Sequence, residues 1–285
     1  NQNQALEEVV VIGYGTQKKI NLTGSVASVN FDESMNSRPL TNVSSALSGL
    51  VPGLNVRQNS GTPGADNASL TLRGTSLNGG EPYILIDGMP GDLNQISPND
   101  VENISVLKDA ASASIYGNKA ANGVILITTK SGAANSGKIS FDYNGSVGFS
   151  KPTNLFDIIS NTADHMTIIN NILTNSGQGI RYTADQIQEW REGSKTDPIK
   201  YPNTNWWNAL IKDNTIQTHQ FSVRGGKDKV SFYTSANYQY NDGLIPNSSY
   251  KSLNFRNNID YWVNQWLKIG NIMTSFYGEN DPARL

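Results

Sequence analysis

The two histidines, His165 and His219, lie far apart in the chain, and cysteine is absent from its 285 residues. A zinc site built from thiolates, or from the His-Glu-x-x-His spacing, therefore has nothing to rest on. No Gly-x-Ser-x-Gly elbow presents a nucleophile. The acidic residues are too scattered to nominate the paired carboxylates of a glycosidase. The glycine-rich stretch TSLNGGEP, residues 75–82, lacks the Lys and Ser/Thr with which a P-loop cradles phosphate. This reading gives a protein without catalysis, cofactor or metal. What remains is chemistry for gripping. Trp206 and Trp207 follow Tyr201-Pro202-Asn203 and offer rings that stack on sugars, sit at a membrane interface or pack within their own loop. Val9–Ile12 is β-branched and ends in Gly13-Tyr14-Gly15. It reads either as a buried strand or as an extended segment that adds a strand to another protein's sheet edge.

Two textures of sequence must position these groups. In the first, Tyr83–Ile86, Ile104–Leu107 and Val124–Ile127 are short apolar runs bounded by Asp-Gly, Pro and Gly, as in the strands of a small mixed sheet. The Ala/Ser-rich segment Asp109–Tyr116 predicts two helical turns of small side chains packed on that sheet, with Gly117 as the stop. A helix is expected over Val43–Leu50, capped by Asn42 or Ser44 and stopped by Pro52-Gly53. Strands are expected over Gln17–Asn30, Asn55–Asn59 and Ser69–Arg73, and Lys108 and Asp109 read as a solvated pair. Residues 1–8 are polar, and Ser131–Gly137 reads as a linker.

From Lys138 the pattern changes to a period of two. Ile139, Phe141, Tyr143, Val147 and Phe149 oppose Ser140, Asp142, Asn144 and Ser146. The same alternation runs through Val230–Asn241 and 253–263, in shorter form around Phe221 and Val223, and in blurred form over Leu267–Tyr277. In that last stretch Ile272 and Phe276 fall on the face that should be polar. A one-sided soluble sheet alternates in the same way, but the links between the runs are alternately long and short, as in outer-membrane barrels. The longest link, 150–217, carries helical spacing over Ile158–Leu173 and Thr183–Arg191, with a capping box at Thr183 and Gln186. No apolar run reaches the ~20 residues of a membrane helix, so a bilayer would be crossed by strands. A net charge of −2 gives nucleic acid no electrostatic foothold. The start, NQNQALEE, is not a signal peptide and reads as a processed or excised boundary.

Several motifs in fixed order resemble the plug domain of TonB-dependent outer-membrane transporters, in particular the SusC/RagA branch. They are EEVVVIGYGTQKK at 7–19, ALSGLVPGLNV at 46–56, SGTPG at 60–64 and LTLRG at 70–74. They continue with PYILIDGMP at 82–90 and SPNDVENISVLKDAASASIYGNKAANGVILITTK at 97–130. The resemblance implies an α+β plug inside an antiparallel transmembrane β-barrel, with only the first five or so barrel strands in this chain. Wide plugged barrels have about 22 strands, so the remaining strands are expected beyond Leu285. The implied organisation is a flexible N-terminus with a TonB box (1–16), a plug (17–132), a linker (133–137) and the start of the barrel (138–285) with a long extracellular loop (150–217). Glu8, Val9, Val10, Val11, Ile12, Gly13 and Tyr14 would be the segment that TonB captures. Ser76, Leu77, Asn78 and Gly79, and Gly91, Asp92, Leu93 and Asn94, would form plug loops facing substrate. The implied partners are TonB, a SusD-like surface lipoprotein, outer-membrane lipid and a large nutrient, an oligosaccharide or a peptide. The rival reading is a secreted β-rich glycan-binding protein.

Overall fold

The computed structural model describes residues 9–12, 15–18, 26–31, 41–72, 80–108, 113–132, 137–153 and 156–283. Its first unit is organised on a five-stranded mixed sheet of order β3-β8-β9-β6-β7. The strands are β3 (Val26–Asn30), β6 (Tyr83–Ile86), β7 (Met89–Pro90), β8 (Val101–Leu107) and β9 (Val124–Thr129). β6 runs parallel to β9, and the other pairs are antiparallel. Both faces of this sheet are covered, which is why its strands read as continuous apolar runs. Ile104, Val106, Ile125 and Ile127 pack with Phe31, Val43, Leu47 and Leu70 on one face. Leu107, Val124 and Leu126 pack with Ala113 and Ala120 on the other.

The helix expected over Val43–Leu50 is shorter, Val43–Ala46, because Gly49 turns left-handed at φ 77° and ends it. Asn42 is its cap, its side chain accepting from the Ser45 amide at 2.8 Å. Of the Ala/Ser-rich stretch Asp109–Tyr116, residues 109–112 lie outside the described residues; Ala113 is helical, 3-10 turns run over Ser114–Ala120, and Gly117 interrupts them at φ 62°, where the stop was expected. Within Gln17–Asn30 the described residues belong to two sheets, β2 (Gly15–Lys18) pairing with β1 (Val9–Ile12) as a hairpin and β3 joining β8; residues 19–25 lie outside the described residues. A separate hairpin pairs β4 (Leu54–Gln58) with β5 (Ala68–Leu72). The Lys108 ammonium donates to the Pro52 carbonyl.

The second unit is a five-stranded antiparallel meander of β10 (Ile139–Ser150), β11 (Asn214–Lys227), β12 (Val230–Asp242), β13 (Ser249–Trp262) and β14 (Lys268–Asp281). At about 3.3 Å per residue and a tilt near 40°, strands of this length cover roughly 30 Å, the thickness of a bilayer core. The burial is inverted relative to a soluble sheet. Phe221 is 50% exposed between Gln220 at 2% and Ser222. Tyr238, Leu253, Ile259 and Tyr261 face outward, while Ser231, Ser235, Asn237, Asn254 and Arg256 are buried against the first unit. Strand β11 is longer than the short run around Phe221 and Val223, its Thr-, His- and Gly-containing ends continuing the pairing with β10 and β12. In β14, Ile272 pairs with Asn258 and Phe276 with Asn254, so both lie on the polar, inward face. There they border space beside loops of the first unit.

Residues 151–213 link β10 to β11 and hold helices Thr162–Asn175, Ala184–Thr196 and Trp206–Leu210. The capping box at Thr183 is present, Gln186 N–H donating to its hydroxyl at 3.2 Å and Thr183 N–H to Gln186 Oε1 at 2.9 Å. The first unit leaves by way of Gly132, where an added Cβ would sit 2.2 Å from the Phe232 amide nitrogen of β12. Only glycine fits there. Gly137 N–H then donates to Gly226 O at 2.9 Å, so the chain enters the meander at its short-turn end.

Candidate functional site

The two units meet through two carboxylates. Asp87 and Gly88 form the tight β6–β7 turn with φ of 49° and 83°, a conformation that Asp-Gly supplies readily. The turn aims the Asp87 carboxylate at β9 and the meander. It accepts from Thr129 N–H at 2.9 Å and from the Thr129 hydroxyl at 2.7 Å. It also pairs with the guanidinium of Arg256, whose side chain is 3% exposed. The other Arg256 nitrogen donates to Thr274 Oγ1 at 2.9 Å. Asn258 Nδ2 donates to Lys130 O at 2.9 Å and to Thr129 Oγ1 at 3.2 Å.

Asp100 ends the 3-10 turn Pro98–Asp100 and is buried. It accepts from Gln220 Nε2 and from the Tyr233 hydroxyl, each at 2.8 Å. Burial pushes its carboxyl above the usual aspartate range, against the opposing pull of the Ser235 and Tyr233 hydroxyls and of Arg256 and Lys130. These groups dock one unit on the other; nothing in their geometry places a nucleophile beside a base. Above them, toward the long-link end of the strands, the units enclose a polar cavity of roughly 260 Å³ between Asn42, Asp66 and Asn94 on one side and Asn237, Tyr250 and Asn254 on the other.

The residues singled out from sequence fall in different places. Val9, Val10, Val11 and Ile12 form β1, already paired with Gly15–Lys18; Glu8, Gly13 and Tyr14 lie outside the described residues, as do Ser76, Leu77, Asn78 and Gly79. Gly91 and Asp92 are exposed, Asp92 capping a 3-10 turn by accepting from Asn94 N–H at 2.9 Å. Asn94 accepts from the Ser44 hydroxyl at 2.9 Å and borders the cavity. Leu93 is a correction: its side chain is 2% exposed and packs in the apolar core, since the 3-10 turn rotates it inward. Of the alternatives open to the tryptophans, Trp207 takes packing within its own loop, its indole N–H held by Phe156 O at 2.8 Å, whereas Trp206 is 62% exposed. Asp87, Asp100, Gln220, Tyr233, Arg256 and Asn258 were not foreseen. The available signal was Arg256, the one cation in the row Ser252, Asn254, Arg256, Asn258 and Asp260 of its strand.

Residues 18–124 match the family model of the TonB-dependent receptor plug domain. The chain belongs to the TonB-dependent receptors, in their SusC/RagA branch. It is 36% identical over 278 residues to TonB-dependent receptor P26 of Formosa agariphila, which covers 94% of this chain and 26% of that protein. Against TonB-dependent receptor SusC of Bacteroides thetaiotaomicron the identity is 35% over 263 residues, covering 88% of this chain and 24% of SusC. The RagAB peptide importer in its open-open state superposes with a TM-score of 0.78 at 29% identity, over 97% of this chain and 33% of that one. The chain thus spans about a quarter of the length of these curated relatives. The first unit is a plug, and the meander is the opening of an outer-membrane β-barrel wall. Its outward apolar face is the face that meets lipid.

Proposed function

We propose that this chain is the plug and first wall strands of a receptor that imports a large nutrient across the bacterial outer membrane, driven by TonB. One observation carries the reading: a plug hydrogen-bonded through Asp87 and Asp100 to the polar face of a sheet whose other face is apolar. A lumen closed in this way needs work to open it, and the outer membrane has no nucleotide to supply that work. The segment Glu8–Tyr14 is the handle. Its described part is a short β-branched strand, and pulling on such a strand from another sheet's edge transmits force through main-chain hydrogen bonds. Because β1 is paired with β2, capture requires either its other edge or displacement of Gly15–Lys18.

The substrate class in this reading is an oligosaccharide, with peptide as the alternative, and a SusD-like lipoprotein is the extracellular partner. The relatives are named as receptors and importers, in keeping with a role in transport. The test is deletion of Glu8–Tyr14 in the full-length receptor. Uptake is abolished while ligand binding and barrel assembly persist; uptake that survives the deletion ends the coupling assignment.

A further inference from the structure

The two docking carboxylates are joined to each other on both sides of the seam. On the plug side the join is the end of β9. The Thr129 hydroxyl donates to Asp87 Oδ2 at 2.7 Å and accepts from Asn258 Nδ2 at 3.2 Å. The next residue, Lys130, donates its N–H to Asp100 O at 2.8 Å. Asp100 is held there because β8 starts at Val101, which pairs with Thr129. On the wall side, Tyr233 holds Asp100 and stands opposite Asn258 across β12 and β13. Arg256 holds Asp87 and lies two residues from Asn258 on the same face of β13. The groups thus close into a ring that runs from Thr129 through Lys130, Asp100, Tyr233 and Asn258 and back to Thr129, with Asp87 and Arg256 bonded onto it.

Thr129, Asp100, Tyr233 and Arg256 are all buried. Water has no access to replace a partner that moves away, so each separation leaves a donor or acceptor unpaired in the interior. Because Thr129, Lys130 and Asn258 serve both carboxylates, parting one of them from the wall withdraws support from the other.

We infer that Asp87–Arg256 and Asp100–Tyr233 are two halves of one cooperative lock between plug and wall, with Thr129 as the residue that positions them. The inference rests on the import reading and adds how the plug lets go of these strands: in one step rather than contact by contact. The described part of the proposed handle, β1, lies beside β9, the strand whose end carries the lock. Thr129 suits the task because a hydroxyl donates to a carboxylate and accepts from an amide through a single atom. Valine has the same shape and the same strand preference but does neither. Serine keeps the hydroxyl and gives up the methyl.

The test is hydrogen exchange, followed by mass spectrometry, on the full-length receptor in detergent without ligand or TonB. Residues 83–90 report the Asp87 half and residues 97–107 the Asp100 half. Tyr233→Phe removes one hydrogen bond from the Asp100 half and Arg256→Met removes the cation from the Asp87 half. Each variant speeds exchange in both segments, by about threefold or more, because members of one network do not respond independently. Thr129→Val loosens both segments and Thr129→Ser leaves both close to the parent, the reverse of what a purely packing role of Thr129 gives. Heat-modifiable gel mobility reports barrel assembly, and Arg256→Lys replaces Arg256→Met where the latter does not assemble. Exchange that rises only in the substituted half, or Thr129→Val behaving as the parent while Thr129→Ser loosens, overturns the lock. A receptor with linked halves whose uptake survives deletion of Glu8–Tyr14 keeps the lock and loses the import reading. One with independent halves whose uptake requires that segment keeps import and loses the lock.

Discussion

The plug and the wall are built from sheets of equal strand number with opposite rules. The plug sheet hides apolar side chains on both faces, as at Ile125 and Leu126, which point to opposite sides and are both buried. The wall sheet buries Gln220, Ser235 and Asn254 and turns Phe221, Leu253 and Ile259 out. In water the second arrangement would expose a large apolar face; against lipid it is the stable one. The seam between the two is consequently polar on both sides. It depends on directed bonds from Asp87 and Asp100 rather than on a shared apolar core. Such a seam holds while its partners are in place and has little apolar area to recover once they part.

Four measurements break or sharpen this contrast. Arg256→Ala leaves Asp87, whose side chain is 14% exposed, without its cation, and removing one partner of a buried pair costs up to about 3–5 kcal/mol. The full-length receptor should show looser plug docking, seen as faster protease cleavage after residue 132, with barrel assembly intact. Paired substitution Asp87→Asn with Arg256→Ala should recover part of the loss. Next, Phe221→Arg places a charge on the lipid face near mid-strand and should cost about 2–4 kcal/mol in a urea unfolding series, whereas Phe276→Ser on the inward face should leave barrel stability nearly unchanged. A smaller effect is expected in the extracellular excursion. Thr183→Ala removes the hydroxyl of the capping box and should lower local helix stability by about 1 kcal/mol, visible as faster amide exchange at Gln186, with the seam unaffected.

The smallest effect is a pH trend. Asp100 has a raised carboxyl pKa in the folded state, so the folded form holds its proton to higher pH than the unfolded form. Its contribution to docking is therefore greatest in acid, below the ordinary aspartate value of 3.8, and declines as pH rises through the raised value. Asp100→Asn should flatten that decline when plug melting is followed from acid to neutral pH. A steeper decline in the variant would count against the assignment.

Much of this architecture could be read along the chain because it depends on local period and punctuation. The alternation from Ile139 onward marked the wall strands, the apolar runs at Tyr83 and Val124 marked a sheet covered on both faces, and Thr183 with Gln186 marked a helix start that is present. Where a neighbour distant in sequence decides the outcome, the reading failed. Leu93 looked like a loop residue until the 3-10 turn rotated it into the core, and Trp206 and Trp207 looked equivalent until Phe156 took one indole N–H.

Periodicity alone therefore determined that this chain holds an α+β unit followed by long alternating strands, since side-chain direction in a strand follows from backbone geometry. Only the tertiary structure decided which polar residues face the plug and pair with it. Asp87 and Arg256, or Asp100 and Tyr233, are joined across more than a hundred residues. No local pattern records a contact whose partners are brought together only when the wall wraps the plug.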